Sequence, residues 1–314
     1  MRFGVAIKSS FIAGEPMEAR GQQLRRMAMA AEVLGYESIW VPDRTVFPED
    51  IAVRYPQFGP AGQIPDSQQV LEPLTSMSFL AGSTGTIKLG FNVVILPFRN
   101  PVLNAKMIST LDVLSGGRVI FGVGVGWMPE EFEAMGASWD DRGTVTDEHI
   151  EMFKAFCADG VAEYQGKHFS TSGKIFYPKP LQRPHPPIWV GGKSRIALRR
   201  VARLGHGWLP IGNTPDEIAE GGRYLRQQCE VLGRDPGTVE LGLNISPSFG
   251  ELQTSSEGEH IPLTGSVEQV KDDVRRYREA GLDFMLLSTT RMEAGPAIEA
   301  LRRFAEEVAP EFSE

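Results

Sequence analysis

One segment of the chain combines three alternating glycines with a tryptophan, Gly122-Val123-Gly124-Val125-Gly126-Trp127. The residues Val119 to Val123 predict a short buried strand, so the glycines come at its C-terminal end. Glycine at such a place lets a ring or a phosphate approach the main chain closely. A dinucleotide fingerprint is excluded, because Trp127 stands where G-x-G-x-x-G needs its third glycine. We therefore interpret Gly124 and Gly126 as part of the wall of a cofactor site.

A second segment, Gly191-Gly192-Lys193-Ser194, has the residues of an anion site between a predicted strand and a helix that begins at Ser194. Bare backbone N–H groups, a hydroxyl and the positive end of a helix dipole together favour a phosphate. A tight turn in which the serine only caps the helix explains the same residues, and this alternative stays open. Arg142 could reach the same phosphate, or it could pair with its neighbours Asp140 or Asp141.

Few other residues could take part in acid–base or charge chemistry. Asp43 and Arg44 lie just after the second predicted strand. Arg44 holds its proton at neutral pH, so it suits charge stabilisation of an anionic ring or a carboxylate rather than general acid catalysis. Glu130 and Glu131 open a predicted helix, where the dipole favours carboxylates without any catalytic role. His260 is the histidine best placed to visit the site, and no histidine or cysteine pair has metal-ligand spacing, so no metal is predicted.

Short apolar strands alternate with amphipathic helices along the whole chain. Eight such units in 314 residues favour a closed (β/α)8 TIM barrel over a doubly wound open sheet, and we predict one domain over residues 1–314. Active sites of such barrels lie at the C-terminal ends of the strands. The loops Thr45–Glu72 and Pro247–Thr264, after strands two and seven, are long enough to shape a substrate pocket. The predicted strands are Phe3–Ile7, Ser38–Val41, Lys88–Leu96, Val119–Val123, Ile188–Val190, Trp208–Leu209, Val239–Ile245 and Phe284–Leu287.

Composition excludes several classes of protein. A net charge of −8 argues against non-specific nucleic-acid binding, and no apolar run approaches the ~18 residues of a membrane-spanning helix. The chain opens on a predicted strand without a signal-peptide pattern. Cys157 and Cys229 read as ordinary reduced residues. We therefore expect a cytoplasmic protein that binds neither nucleic acid nor membrane.

Four segments, Trp40–Arg44, Gly90–Pro101, Leu111–Phe132 and Trp189–Ser194, have the order and spacing of the luciferase-like monooxygenase superfamily, which the chain resembles over nearly its whole length. The resemblance implies a TIM-barrel oxidoreductase that acts on a small molecule and pairs through its outer helices as a homodimer. The motifs look more like the branch that uses the deazaflavin coenzyme F420 for hydride transfer than like the FMN-dependent monooxygenases, which stay the alternative. A barrel that binds a flavin without turnover is a third alternative.

The resemblance also implies roles for single residues. In the family, the turn that matches Gly191–Ser194 holds the cofactor phosphate, and a non-prolyl cis bond in a bulge, here between Asn92 and Val93, backs the ring. Many F420-dependent relatives have Asp-His at Asp43-Arg44, and the F420-dependent sugar-phosphate dehydrogenases have glutamate at Trp127, so histidine-based proton transfer and that sugar-phosphate activity are disfavoured. The predicted catalytic residues are Asp43, Arg44 and Trp127, and the predicted cofactor-binding residues are Asn92, Val93, Gly124, Gly126, Arg142, Gly191, Gly192, Lys193 and Ser194.

Overall fold

The computed structural model describes residues 1–7, 19–55, 70–256, 258–289 and 292–313. Most of the strands are short and apolar, as buried parallel strands are. The strands are β1 (Arg2–Ala6), β2 (Ser38–Val41), β3 (Lys88–Phe91), β4 (Val94–Ile95), β5 (Val119–Gly124), β6 (Val161–Gln165), β7 (Ser170–Ile175), β8 (Ile188–Gly191), β9 (Gly207–Leu209), β10 (Glu240–Ile245), β11 (Ser248–Phe249), β12 (Thr264–Gly265) and β13 (Phe284–Ser288). The helices are α1 (Arg20–Val33), α2 (Ile51–Arg54), α3 (Pro73–Ala81), α4 (Pro101–Leu114), α5 (Pro129–Ala134), α6 (Arg142–Cys157), α7 (Arg195–Leu204), α8 (Pro215–Val231), α9 (Val267–Glu279) and α10 (Ala294–Arg303).

Eight parallel strand positions close into a barrel. Going round from β1, the neighbours are β2, β3, β5, β8, β9, β10 and β13, and β13 pairs back with β1. β4 continues the third strand after an interruption at residues 92–93 and pairs with β5. The predicted TIM barrel is therefore confirmed, and the open sheet is excluded. That residues 1–314 form one domain stays a prediction.

Three large aromatic side chains, Trp40, Trp189 and Phe284, fill the inside of the barrel. Their ring centroids lie 5.2 to 5.8 Å apart. The rings occupy the space that glycines leave on neighbouring strands: a Cβ at Gly90 would lie 2.3 Å from Trp40, and one at Gly207 would lie 2.4 Å from Trp189. The inside of the barrel is thus a packed core. A ligand in the barrel mouth must lie above these rings, at the C-terminal ends of the strands.

The outer helices begin with the local signals that the sequence contains. Thr214 and Glu217 form a capping box at the start of α8, and Ser266 and Gln269 form another at the start of α9. Each box satisfies backbone N–H groups that have no partner inside the helix. Cys157 and Cys229 are buried free thiols. Among the described residues, no helix is long and apolar enough to cross a membrane.

The antiparallel hairpin β6–β7, between α6 and β8, is absent from our sequence prediction. Its second strand is exposed along nearly all its length, so it lacks the apolar pattern that predicts a buried strand. The Glu148 carboxylate of α6 fastens the hairpin turn by accepting the backbone N–H groups of Lys167, His168 and Phe169. Sequence patterns of core burial cannot find an element that is held by polar contacts.

His206, the residue before β9, is neutral in the folded protein. Its Nδ1 accepts the N–H of Ile188 at 3.2 Å, which requires an unprotonated nitrogen. Burial lowers the pKa of His206 to about 4, and repulsion from His185 and Lys154 acts in the same direction. Burial also lowers the pKa of His149, on α6, to about 3.

We expect the free energy of unfolding to fall as the pH drops from about 6.5 towards 4. Histidine in the unfolded chain has a pKa near 6.5, so the unfolded state takes up protons in this window that the folded state does not. In His206→Asn, the amide oxygen can still accept the Ile188 N–H without titrating. Urea unfolding at a series of pH values should therefore give a shallower pH dependence for His206→Asn than for the wild type. Equal slopes would contradict a neutral His206 in the folded protein.

Candidate active site

The third barrel strand is interrupted between β3 and β4 at Asn92 and Val93. The peptide bond between these residues is cis, as predicted. The Val93 side chain lies against two other strands: a Cβ at Gly124 would lie 2.4 Å from its Cγ2, and one at Gly191 would lie 3.2 Å from its Cγ1. Val93 therefore places the third strand in direct contact with the glycine run on β5 and with Gly191 at the C-terminal end of β8.

The space beside the glycine run is filled by the protein itself. A Cβ at Gly122 would lie 1.7 Å from the carbonyl oxygen of Phe91, and one at Gly126 would lie 2.8 Å from the Phe132 ring. Gly126 also has φ +78°, which side chains disfavour. Packing within the protein is therefore sufficient to explain these glycines, because their open sides accommodate neighbouring protein elements. That Gly124 and Gly126 contact a cofactor through their main chain stays a prediction.

The turn after β8 exposes its main chain. Gly192, Lys193 and Ser194 are exposed, and Gly192 has φ +107°. Ser194 is the N-cap of α7, where its Oγ accepts the Ala197 N–H at 3.2 Å. Trp208 of β9 fixes the turn by donating its Nε1–H to the Gly192 carbonyl oxygen at 2.7 Å. The turn is thus a capped and accessible helix N-terminus, which suits a phosphate and also fits a purely structural cap.

Asp43, at the end of β2, is buried and fully engaged. Its carboxylate accepts the Ile95 N–H at 2.8 Å and both terminal nitrogens of Arg99 at 2.6 and 3.2 Å. Burial raises the pKa of Asp43, while Arg99 and the Ile95 N–H oppose the rise. The second terminal nitrogen of Arg99 also reaches Glu72, at 3.1 Å. Asp43 therefore ties the end of β2 to the strand segment that follows Asn92 and Val93, a positioning contact.

Arg44 forms an ion pair with Glu131 of α5. Its Nη1 lies 2.5 Å from Glu131 Oε2, and the other carboxylate oxygen accepts the Thr45 N–H at 3.0 Å. Glu131 is fully buried. The guanidinium also lies over the Trp127 ring, 4.6 Å from its centroid. The sequence suggested that the positive charge of Arg44 stabilises an anionic ring or a ligand carboxylate. In the structure, the buried carboxylate of Glu131 offsets this charge.

Trp127 and Glu130 hold the beginning of the loop that follows β2. The Tyr55 ring packs edge-on against Trp127 at 5.0 Å, and the Tyr55 hydroxyl donates to Glu130 at 2.9 Å. Arg54 donates to the other oxygen of Glu130, also at 2.9 Å. The loop start is therefore fixed beside the end of the glycine run. Residues 56–69 of this predicted substrate loop lie outside the described residues.

A family model described as luciferase-like monooxygenase matches residues 1–260 of the chain. The chain belongs to the luciferase-like monooxygenase family. Members of this family are F420- or flavin-dependent oxidoreductases and monooxygenases. The family predicted from the sequence is confirmed, and so is the assignment of the chain to this class of enzyme.

Several known proteins are similar to this luciferase-like chain. Rv0940c, an uncharacterized protein of Mycobacterium tuberculosis, is 35% identical over 227 residues, which cover 68% of this chain and 77% of that protein. The crystal structure of monooxygenase RslO1 from Streptomyces bottropensis has a TM-score of 0.82, 20% identity and full coverage of both chains. The coenzyme F420-dependent tetrahydromethanopterin reductase from Methanopyrus kandleri has a TM-score of 0.79, 17% identity and 99% coverage of both chains. The oxygenating constituent of 3,6-diketocamphane monooxygenase from Pseudomonas putida, in complex with FMN, has a TM-score of 0.78 and 14% identity, with 99% of this chain and 98% of that chain covered.

Two further polar residues of this luciferase-like barrel contact elements that the sequence did not indicate. The Arg142 guanidinium lies 3.8 Å above the Trp139 ring and donates to the Trp139 carbonyl oxygen at 2.5 Å. Its role as a phosphate ligand stays a prediction. His260 Nε2 lies 2.7 Å from Oδ2 of Asp273 on α9, so His260 fastens the loop after β10 to that helix. In the part of the chain that the structure describes, no cluster of three or more His, Cys, Asp or Glu residues could hold a metal ion.

Sequence reasoning missed two residues that shape this family site, Arg99 and Glu131. Arg99 follows the third strand by a few residues and reads as a polar loop residue, while Glu131 reads as a carboxylate at a helix start. Each is recognised only by its partner, Asp43 for Arg99 and Arg44 for Glu131, and both partners are more than 50 residues away in sequence. The one available signal is that Asp43 and Arg44 lie just after the second predicted strand. Each of these charged residues needs a counter-ion if it is buried.

Proposed function

We propose that this protein is an oxidoreductase that uses coenzyme F420 for hydride transfer to or from a small organic substrate. The observation that best supports a cofactor site is the position of the Val93 side chain. It lies against both the glycine run, at Gly124, and the start of the next turn, at Gly191. A ring against the third strand would therefore have a helix N-terminus next to it for its phosphate. The preference for F420 over FMN is based on the resemblance of the motifs, and FMN-dependent oxygenation is the second candidate because one solved structure of similar fold contains FMN.

The residues present fit a phosphorylated tricyclic cofactor. The turn at Gly192, Lys193 and Ser194 offers exposed backbone N–H groups, a hydroxyl and an ammonium group at the positive end of α7. The aromatic core of the barrel closes the mouth from below, so a planar ring would lie on top of it. When bound, F420 would supply the hydride acceptor or donor, while FMN would activate oxygen.

The third strand, β3 and β4, would form a wall behind the ring, which we call the ring wall. The side chains near it have positioning roles in this proposal. Asp43 holds Arg99 and the start of β4, and so keeps the wall in place behind the ring. Arg44 and Trp127 form one side of the mouth, where the guanidinium is already stacked on the indole and paired with Glu131. An arginine in this state binds and orients polar groups but does not deliver a proton. We assign no general acid, so a proton that the substrate gains or loses is exchanged with solvent in this proposal.

Titration of the purified protein with F420 and with FMN tests the proposal directly. We expect saturable binding of F420 and weaker binding of FMN. Equilibrium dialysis or fluorescence quenching measures both affinities. Tighter binding of FMN, or a flavin spectrum in the purified protein, would favour the second candidate. A protein that binds neither cofactor would overturn the proposed function.

Lys193→Glu should lower the affinity for the phosphorylated cofactor by about tenfold or more, because a carboxylate would oppose the phosphate at a helix N-terminus. Gly192→Asp should act in the same direction. Lys174→Glu is the matched control, since it makes the same change of charge at an exposed residue of the hairpin strand β7. Isothermal titration of the three variants measures the effect. Equal affinity for Lys193→Glu and Lys174→Glu would remove the phosphate assignment.

We also propose a homodimer that forms through the outer face of α4. This face exposes Val102, Leu103, Met107 and Leu114, an unusual set of apolar side chains for a helix in water. Leu103→Lys should shift the protein towards monomer in light scattering, because it places a charge on the apolar face. Val33→Lys is the control, since it removes an exposed apolar side chain from α1 instead. A wild-type monomer at micromolar concentration would contradict the proposal.

A further inference from the structure

Asn244, on the seventh barrel strand β10, is a buried amide whose oxygen has no hydrogen-bond partner among the described residues. The residue is 5% exposed, and its Oδ1 is fully buried. The main chain of the same residue is fully paired: its N–H donates to Pro210 and its carbonyl oxygen accepts from Gly212. A buried acceptor without a donor is unfavourable for the folded state, and native proteins usually avoid it. The side-chain oxygen of Asn244 therefore needs another explanation.

Asn244 faces the inside of the barrel. Side chains alternate between the two faces of a strand, so Asn244 lies on the same face as Gly242. A Cβ at Gly242 would lie 2.5 Å from the Trp189 ring, which belongs to the interior cluster. The residue paired with Asn244 on β13 is Leu286, another member of that cluster. Asn244 is two residues nearer the C-terminal end than Gly242, so it lies above the aromatic core, on the side of the barrel mouth.

β10 lies across the barrel from the interrupted third strand. In the closed order, four steps separate the two strands in either direction round the barrel. A ring backed by Val93 would have one face against the third strand, so its other face would look towards β10. Asn244 thus borders the space in which a substrate must meet the ring.

We propose that Asn244 is a positioning residue that accepts a hydrogen bond from the substrate, and that the substrate carries an O–H or N–H group at or next to its reacting carbon. An amide oxygen can only accept, so its partner must donate. A neutral alcohol is the simplest class that fits, because hydride transfer from its carbon would reduce the bound cofactor while its hydroxyl proton passes to solvent. This inference rests on the proposed function, since it takes the ring to lie against the third strand.

Paired probes that differ only in the donor test the inference. The probes are neutral alcohols of three to eight carbons and the methyl ether of each, and binding to cofactor-saturated protein is followed by ligand-observed NMR. We expect at least one alcohol to bind about tenfold more tightly than its ether in the wild type, because a site built around a hydroxyl rejects the analogue without it. Asn244→Leu should abolish this difference, while Asn244→Asp, which keeps an acceptor, should retain it.

Two further measurements separate this role from a structural one. Asn244→Leu should raise the melting temperature, because it removes an unpartnered buried acceptor. Asn104→Leu is the control, since Asn104 also has a buried unpartnered Oδ1 but lies between the outer helices α4 and α6 beside His149. Asn104→Leu should lose stability, because the Asn104 Nδ2 is hydrogen-bonded to His149 Nε2 at 3.2 Å and its removal leaves that buried nitrogen without a partner. It should keep the discrimination between alcohol and ether.

Cofactor titration of the same variants distinguishes the two proposals. Unchanged F420 affinity in Asn244→Leu, with loss of discrimination, supports the role of Asn244. Wild-type protein that binds the cofactor but binds no alcohol better than its ether would overturn it and leave the proposed function standing. If the protein binds neither F420 nor FMN, the proposed function fails, and the alcohol and ether comparison on the unliganded protein still decides whether Asn244 accepts a hydrogen bond from a ligand.

Discussion

Replacing Glu131 with alanine is expected to lower the free energy of unfolding by about 3–5 kcal/mol. Glu131 is fully buried and pairs with Arg44 at 2.5 Å, so its removal leaves the mostly buried guanidinium without a counter-ion. The Thr45 N–H loses its acceptor in the same step. Urea unfolding at neutral pH measures the loss, and we expect it to be accompanied by a looser start of the loop after β2.

The neighbouring residue gives a matched control. Glu130 also accepts from an arginine, Arg54, but both partners are solvent-accessible. Exposed pairs contribute up to about 1 kcal/mol, so Glu130→Ala should change stability little. Similar losses for Glu130→Ala and Glu131→Ala would show that burial does not distinguish the two carboxylates. A loss below about 1 kcal/mol for Glu131→Ala would show that the ion pair at Arg44 is not structurally important.

Gly122→Ala is expected to be the most damaging single-methyl addition in the barrel, with a loss of about 3 kcal/mol or more. The new Cβ would lie 1.7 Å from the Phe91 carbonyl oxygen, which belongs to the backbone of β3 and cannot rotate away. Either β3 or β5 must move, and both carry the proposed ring wall. Cofactor affinity should therefore fall together with stability.

Gly295→Ala is the control for Gly122→Ala. A Cβ at Gly295 meets nothing within 4 Å, and the residue lies in the first turn of α10. Alanine favours the helix, so the variant should be neutral or up to about 1 kcal/mol more stable. Thermal unfolding of both variants gives the comparison. A stable Gly122→Ala protein would show that packing does not require glycine at this position. It would favour the interpretation that the glycines give clearance to a ligand.

The sequence predicted the larger features of the fold because they depend on local patterns. Alternation of short apolar strands with amphipathic helices was enough for the barrel, and local capping residues such as Thr214 and Ser266 lie at the starts of α8 and α9. The cis bond before Val93 was predicted from motif resemblance, and the turn at Ser194 from a strand end, two glycines and a helix start that are contiguous in the sequence. The hairpin β6–β7 was missed because the carboxylate of Glu148 holds its turn and no apolar face marks it.

The roles of the charged and glycine residues at the mouth could be decided only by the tertiary structure. A carboxylate at a helix start looks the same in sequence whether it faces water, as Glu130 partly does, or is buried against Arg44, as Glu131 is. Likewise, a glycine indicates that some group packs closely against the main chain, but the sequence does not identify that group. At Gly122 and Gly124 the group belongs to the third strand. The sequence by itself determined the barrel and the family, because these follow from periodicity and contiguous motifs. The counter-ions and the occupants of glycine gaps come from elements distant in the chain, and only the folded structure brings them together.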